Sequence, residues 1–298
     1  MLSPFLPDRG HSITNMRAID SQFAEADSLN LLSLGVGMYG RFVERRAEEA
    51  LSDTPVVLIV GPRRVGKTTL VRKMGETASA GVPVLCIDTC SILDVMRDPT
   101  RETAKPHDRQ AAIDLVAAAE SSRLICLMAE QVAIEFSDHD QPIQDEAERN
   151  LKKVREQVER INNLSAVFGA PGIVDFTHLD DHVVRARAVV GRWLAKLGKV
   201  TPGPLAPAKA FARVNAGIAP ARRGKESSKD CLVYETYLEA VSALRAAGVN
   251  TPIVFLSSNT NEYLTESKVL KPDIAAEFGA INLGYAPNMG AAKYALGL

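Results

Sequence analysis

Four short runs of uninterrupted apolar residues decide which class of fold this chain can adopt. The runs are VVLIV (56–60), VLCI (84–87), LICLM (124–128) and PIVFL (252–256). Short continuous apolar runs are typical of strands that are buried on both faces, as they are in a parallel sheet. Because segments with helical periodicity separate these runs, the pattern predicts a three-layer α/β/α fold around a parallel sheet.

Between the strands we predict helices, and after the last run we predict a weak strand over 281–285. Two predicted helices end near Thr77 and Arg97, and a third includes Glu135. The others cover 111–120, 145–164, 178–197, 208–216, 227–247 and 273–280. The segment 145–164 carries its apolar residues on one stripe, which indicates that only one face of that helix is buried.

The composition is that of an ordinary globular protein, with 24% charged residues and a formal net charge of −1 over 298 residues. The four cysteines form no C-x-x-C pair, so we expect buried thiols and a reducing, cytoplasmic location. We find no apolar stretch long enough to span a membrane. Residues 1–30 lack the apolar core of a secretory signal and are expected to be poorly ordered.

A phosphate-binding loop is predicted by the spacing of Gly61, Gly66, Lys67 and Thr68. Such loops cradle phosphates with backbone N–H groups, and ATP would be the ligand here. Residues 41–75 resemble the opening of AAA-type ATPases. Hydrolysis also needs an acidic strand end, and no apolar run followed by Asp-Glu occurs downstream. We therefore predict a truncated ATPase-like segment over 31–80, with an incidental Gly-rich turn as the alternative.

Acidic or polar residues accompany the later strands. Asp88 follows VLCI, Glu135 lies one to two helical turns after LICLM, Asp230 opens the helix before PIVFL, and Asn259 and Glu262 follow PIVFL. The carboxyl ends of parallel strands lie at one edge of a sheet, where these groups could meet. Clustered carboxylates repel one another unless cations lie between them, and oxygen ligands favour Mg²⁺ or Mn²⁺.

Four segments resemble the motifs of PIN-domain nucleases: CIDTCSILDVMRD (86–98), MAEQVAIEFSDH (128–139), SSKDCLVYETYLEA (227–240) and VFLSSNTNEYL (254–264). The resemblance covers 83–298 and implies a helical insertion at about 141–223. It implies that Asp88, Glu135 and Asp230 are catalytic and bind a divalent metal. The fourth motif departs from the family, because Thr260 stands where an Asp is usual. Asn259 or Glu262 could provide the fourth ligand instead.

Each acid also has an ordinary structural interpretation. Asp88 could cap the next helix, and Ser227 with Asp230 could form a capping box. Glu135 could lie on a solvated helix face, and Glu262 could be a first-turn carboxylate that the helix dipole favours. Taken together and in this order, the acids favour a metal site.

A cationic segment provides a candidate surface for RNA. Residues 182–225 contain ten Lys and Arg residues and no Asp or Glu, a pattern that favours phosphate binding. Trp193 and Phe211 could stack on bases, although core packing is the better interpretation of Trp193. The predicted RNA contacts are Arg185, Arg187, Arg192, Lys209, Arg213, Arg222, Arg223 and Lys225.

These features favour a Mg²⁺- or Mn²⁺-dependent PIN-type endoribonuclease that acts on single-stranded RNA. Such a nuclease could act as a toxin or a defence effector, and an inhibitor protein would then be a further partner. Two alternatives stay open: a P-loop ATP-binding protein or NTPase, and a non-catalytic PIN-fold RNA-binding protein.

Overall fold

The computed structural model describes residues 81–172, 174–222 and 224–298. The predictions for residues 1–30, for the P-loop segment 31–80 with Gly61, Gly66, Lys67 and Thr68, and for Arg223 lie outside these residues.

Five parallel strands form the described sheet, in the order β3-β2-β1-β4-β5. The strands are β1 (Val84–Ile87), β2 (Ile125–Ala129), β3 (Leu197–Val200), β4 (Ile253–Leu256) and β5 (Gly284–Ala286). The prediction of an α/β fold with a parallel sheet is confirmed. In the central pairing, Ile87 lies beside Met128 of β2 and Leu256 of β4, so the three central strands end at the same level.

Helices flank the sheet in a three-layer α/β/α arrangement. The helices are α1 (Thr89–Leu93), α2 (Pro106–Glu120), α3 (Glu130–Val167), α4 (His182–Lys196), α5 (Ala206–Ala216), α6 (Ser228–Ala246), α7 (Thr260–Tyr263), α8 (Pro272–Ala280) and α9 (Met289–Ala295). Helix α2 packs against α4 and α9, and helix α6 packs against α3 and α5.

The hydrophobic core surrounds β1 and β4, whose residues are all buried. Trp193 is fully buried in this core, which confirms that its role is packing. Phe211 is 69% exposed and remains accessible to a ligand.

Some element boundaries differ from the predictions. The helix that follows β2 continues to Val167 as one helix of 38 residues, with Pro142 inside it. The predicted helix to Leu197 ends one residue earlier, because Leu197–Val200 pairs with β2 as an edge strand. This strand was missed since it contains Gly198 and Lys199 and is only partly buried, so it lacks an apolar run. The segment 141–223 therefore contributes a strand as well as helices.

Helix α1 ends at Leu93, earlier than predicted, and β5 is a shorter strand than the predicted 281–285. None of the described helices combines the length and the apolar character that crossing a membrane requires.

Candidate active site

Asp88 lies at the carboxyl end of the central strand β1. Its backbone N–H donates to the carbonyl of Leu256, which extends the pairing of β1 with β4 by one residue. Its Oδ1 accepts from the N–H of Thr89 at 2.8 Å, so Asp88 caps α1 as the structural interpretation expected. Its Oδ2 accepts from the hydroxyl of Ser257 at 2.6 Å and from the thiol of Cys90 at 3.2 Å. Capping uses one oxygen only and leaves Oδ2 directed to the ends of the strands.

Burial is the main influence on Asp88 and raises its pKa. The hydrogen bonds from Ser257, Cys90 and Thr89 oppose this effect, and the nearby Glu262 adds to it. These three donors stabilise the ionised form of Asp88 and so offset part of the effect of burial.

Glu135 is brought to the same place by the second turn of α3. Its Oε2 accepts from the hydroxyl of Thr89 at 3.0 Å, and its Oε1 accepts from the side chain of Gln131 at 3.3 Å. Burial raises the pKa of Glu135, and the charge of Asp88 raises it further. Glu135 is therefore half-buried on α3 and directed to Thr89, not on a fully solvated face.

Asp230 and Glu262 form the other half of the cluster. Asp230 lies in the first turn of α6, and Glu262 lies in α7 with no exposed surface. The pKa of Asp230 is raised to about 8, mainly by burial and in addition by the neighbouring acids Glu262, Asp88 and Glu135. The charges of Asp88, Glu135 and Glu262 thus act on Asp230, which puts the four acids in one region at the ends of the strands.

The capping-box interpretation of Asp230 does not hold. Ser227 precedes α6, but its hydroxyl makes no capping hydrogen bond with the helix. It accepts instead from the backbone N–H of Arg222, at 3.2 Å. Asp230 therefore has no reciprocal capping partner in Ser227 and faces the other acids.

Lys225 provides a positive charge beside the cluster. Its ammonium donates to Oε1 of Glu262 at 2.6 Å, and this contact raises the pKa of Lys225. The second oxygen of Glu262, Oε2, is buried, and no ordinary donor among the described residues reaches it, whereas the carboxyl of Asp230 can hydrogen-bond to Glu262 when protonated. A buried carboxylate oxygen without a partner is costly unless a proton or a cation reaches it.

Of the two candidates for the fourth ligand, the structure distinguishes Glu262 from Asn259. Asn259 precedes α7, and its side chain does not cap that helix. Its backbone N–H contacts the hydroxyl of Ser257 at 3.3 Å. Glu262 is the residue whose charge acts on Asp88 and Asp230.

The four carboxylates fit a divalent cation in chemistry more clearly than in arrangement. Within the described ranges, no three His, Cys, Asp or Glu side chains are placed so that they could hold one ion together. Three of the acids instead bind neighbouring donors, which are Ser257, Thr89 and Lys225. Mg²⁺ and Mn²⁺ favour oxygen ligands and negative charge, and the four carboxylates supply both.

The predicted cationic surface is largely occupied by ion pairs. Arg187 pairs with Asp140, Arg192 pairs with Glu120, and Lys209 lies 3.8 Å from Glu239. The acids that the segment 182–225 lacks are thus supplied by other segments. The charge of these cations is partly neutralised before any RNA arrives.

Arg213 is a correction to the predicted RNA surface. It is 7% exposed, and it donates to Glu235 and Glu277 and to the carbonyl of Ala219. A guanidinium enclosed in this way is structural and is not accessible to a phosphate. Arg185 and Arg222 are exposed. Arg222 is close enough to Lys225 for its charge to oppose part of the rise in the pKa of Lys225.

The hydroxyl donors of the site, Thr89 and Ser257, were not predicted. Ser257 directly follows β4 and Thr89 directly follows Asp88, and a small hydroxyl residue at these positions is the only signal that could have identified them. Two other acids in the PIN-like motifs, Asp94 and Glu235, form ion pairs with Arg97 and Arg213 respectively.

Comparison with known proteins adds the family. A family model described as a PIN domain matches residues 85–263, more than half of the chain and a range that includes all four acids. The chain belongs to the PIN-domain family. PIN domains generally bind nucleic acids and are generally nucleases. Neither the curated proteins nor the solved structures contain a significant match to the chain.

Proposed function

We propose that this PIN domain is a divalent-metal-dependent endoribonuclease that hydrolyses single-stranded RNA. The observation that carries the proposal is the placement of Asp230 and Glu262 together, within electrostatic reach of Asp88 and Glu135. The pKa of Asp230 is raised first by burial and then by the charges of the neighbouring acids, so a cation or a proton is favoured among these side chains. A polar cluster with perturbed pKa values at the ends of parallel strands is the expected position of an active site.

In this proposal Asp88, Glu135, Asp230 and Glu262 hold Mg²⁺ or Mn²⁺. The bound ion would lower the pKa of a water molecule and neutralise charge at the phosphate. Ser257 and Thr89 orient Asp88 and Glu135, and their hydroxyl groups favour the ionised carboxylates. Hydrolysis would leave 5′-phosphate and 3′-hydroxyl ends.

Glu262 is proposed to replace the usual acid of the fourth motif. It lies two residues after Thr260, it is fully buried, and no ordinary donor among the described residues reaches its Oε2. Lys225 neutralises its other oxygen. If the site holds a metal ion, Glu262 would be one of the residues that hold it, and Lys225 would supply a positive charge for a phosphate.

The RNA is proposed to approach along the exposed cations beside the cluster. Arg222 and Lys225 lie on the loop that precedes α6, next to Glu262, and Arg185 provides a further exposed charge on α4. Phe211 on α5 offers an exposed ring on which a base could stack.

A non-catalytic RNA-binding PIN domain is the second candidate. The observation that favours it is the engagement of Glu262 by Lys225, together with the lack of a ready three-ligand arrangement within the described residues. Titration with Mn²⁺ separates the two candidates, because a nuclease site is stabilised by the ion and a site closed by Lys225 is not.

The direct test is cleavage of a labelled single-stranded RNA in the presence of Mn²⁺. Wild type is compared with Asp88→Asn and Asp230→Asn, and with Asp273→Asn as the control. Asp273 is also a first-turn acid, in α8, but it is exposed. We expect cleavage by wild type and the control and loss of cleavage in both site variants. Equal activity in all four proteins would contradict the proposal.

A further inference from the structure

The phenol of Tyr237 lies where three elements of the site meet. Its hydroxyl accepts from the backbone N–H of Ala129 at 2.9 Å and donates to the carbonyl of Ile87 at 2.6 Å. The carbonyl of Leu127 lies 3.2 Å from the same hydroxyl. These backbone groups belong to the carboxyl ends of β1 and β2, whereas Tyr237 itself belongs to α6.

The position along the strands is specific. Ile125 donates its N–H to the carbonyl of Pro83, and a parallel ladder advances by two residues on each strand. The last rung between β1 and β2 therefore involves the N–H of Ala129 and the carbonyl of Ile87. Tyr237 contacts both groups of this rung, and Asp88 is the residue that directly follows Ile87.

The same hydroxyl connects the elements that carry three of the acids. Asp88 follows β1, Glu135 lies on α3, which begins directly after Ala129, and Asp230 lies on α6. Asp230 and Tyr237 are seven residues apart, which places them on the same face of the helix, two turns from each other. A shift of α6 along its axis would move Asp230 relative to Asp88 and would also break the contacts of the hydroxyl.

We propose that Tyr237 is a positioning residue whose hydroxyl clamps α6 to the ends of β1 and β2 and so sets the separation of Asp230 from Asp88 and Glu135. This inference rests on the proposed metal-dependent function. The ring itself packs in the core, 5.6 Å from the ring of Phe255 between centroids. Tyr237→Phe keeps that packing and removes the clamp alone.

Tyr234 offers a matched control on the same helix. It is a buried tyrosine whose hydroxyl donates to Oε2 of Glu277, in α8, at 2.5 Å. Tyr234→Phe therefore removes one buried hydroxyl without changing the contacts of β1 and β2. A role of Tyr237 in stability alone predicts the same behaviour for both variants.

The test is calorimetric titration of the full-length chain with Mn²⁺. We expect Tyr237→Phe to weaken Mn²⁺ binding by about tenfold, as loss of groups that orient metal ligands does. Tyr234→Phe should bind as wild type does. Equal binding by wild type and Tyr237→Phe, or equal weakening in both variants, would overturn the clamp while leaving the metal site in place. Absence of binding in wild type would overturn the proposed function, and the clamp with it.

Amide hydrogen exchange provides a measurement on the wild-type chain that needs no variant. If the phenol clamps the last rung, the N–H of Ala129 should exchange as slowly as that of Ile125, which bonds to the carbonyl of Pro83 at the other end of the strand pair. Rapid exchange at Ala129 alone would overturn the inference.

Discussion

Ser257 donates a hydrogen bond of 2.6 Å to Oδ2 of Asp88 across the ends of β4 and β1, and both side chains are buried. The bond joins two residues that are 169 positions apart in the sequence. It stabilises the ionised form of Asp88 against the burial that raises its pKa.

Ser257→Ala should therefore weaken metal-dependent activity. The substitution leaves Oδ2 of Asp88 with only the weak thiol donor of Cys90, so the carboxylate becomes a poorer ligand. We expect a loss of about tenfold in RNA cleavage at limiting Mn²⁺. Ser267→Ala, at an exposed serine, is the control and should leave cleavage unchanged. An active Ser257→Ala would show that Asp88 does not need this donor.

Thr89→Val should act on Glu135. Valine keeps the shape of this buried threonine but removes the hydroxyl that donates to Oε2 of Glu135. Cleavage should fall by about tenfold, since Glu135 loses a group that orients it. Thr236→Val is the matched control, because that buried hydroxyl bonds to the carbonyl of Leu232 in its own helix. Equal losses in both variants would indicate a general effect on stability.

Lys225→Met should reveal the charge of Glu262. The metal-free protein should lose about 1–2 kcal/mol of stability, because a buried carboxylate then has no cation beside it, although the lysine itself is half exposed. The rise in melting temperature on addition of Mn²⁺ should exceed that of wild type. Lys209→Met removes an exposed cation 3.8 Å from Glu239 and serves as the control. A smaller rise for Lys225→Met than for wild type would argue against a metal ion at Glu262.

Arg213 and Arg222 should separate stability from RNA binding. Arg213→Met breaks a buried network with Glu235 and Glu277 and should lower stability by about 3 kcal/mol. Arg222→Ala removes an exposed charge and should weaken binding to every RNA sequence. The slope of log binding constant against log salt concentration should fall in magnitude by about one. Denaturant unfolding and RNA titrations at several salt concentrations measure the two effects. A stable Arg213→Met with weakened RNA binding would reverse the assignment.

Much of the fold could be predicted because its central strands are buried on both faces. VLCI and PIVFL are apolar throughout, and the acid after VLCI could only lie at the edge of the sheet. The edge strand Leu197–Val200 could not be predicted, since pairing on one side alone leaves no apolar pattern.

The acids of the candidate site could be predicted from the sequence, but their hydrogen-bond and ion-pair partners could not. Asp88 and Asp230 follow from position and order in the chain. Whether Glu262 is buried depends on how α7 packs after β4, which local residue pattern does not encode. The burial of Arg213 depends on Glu235 and Glu277, two acids outside its own cationic segment, and charge counting along the sequence cannot detect such pairs.

The central claim is that the four carboxylates hold one divalent cation. Crystals of the protein grown with Mn²⁺ test it most directly, because the anomalous scattering of manganese locates the ion. We expect an anomalous peak among Asp88, Glu135, Asp230 and Glu262, and no peak at that place in Asp230→Asn. A wild-type crystal at saturating Mn²⁺ without a peak among these side chains would contradict it.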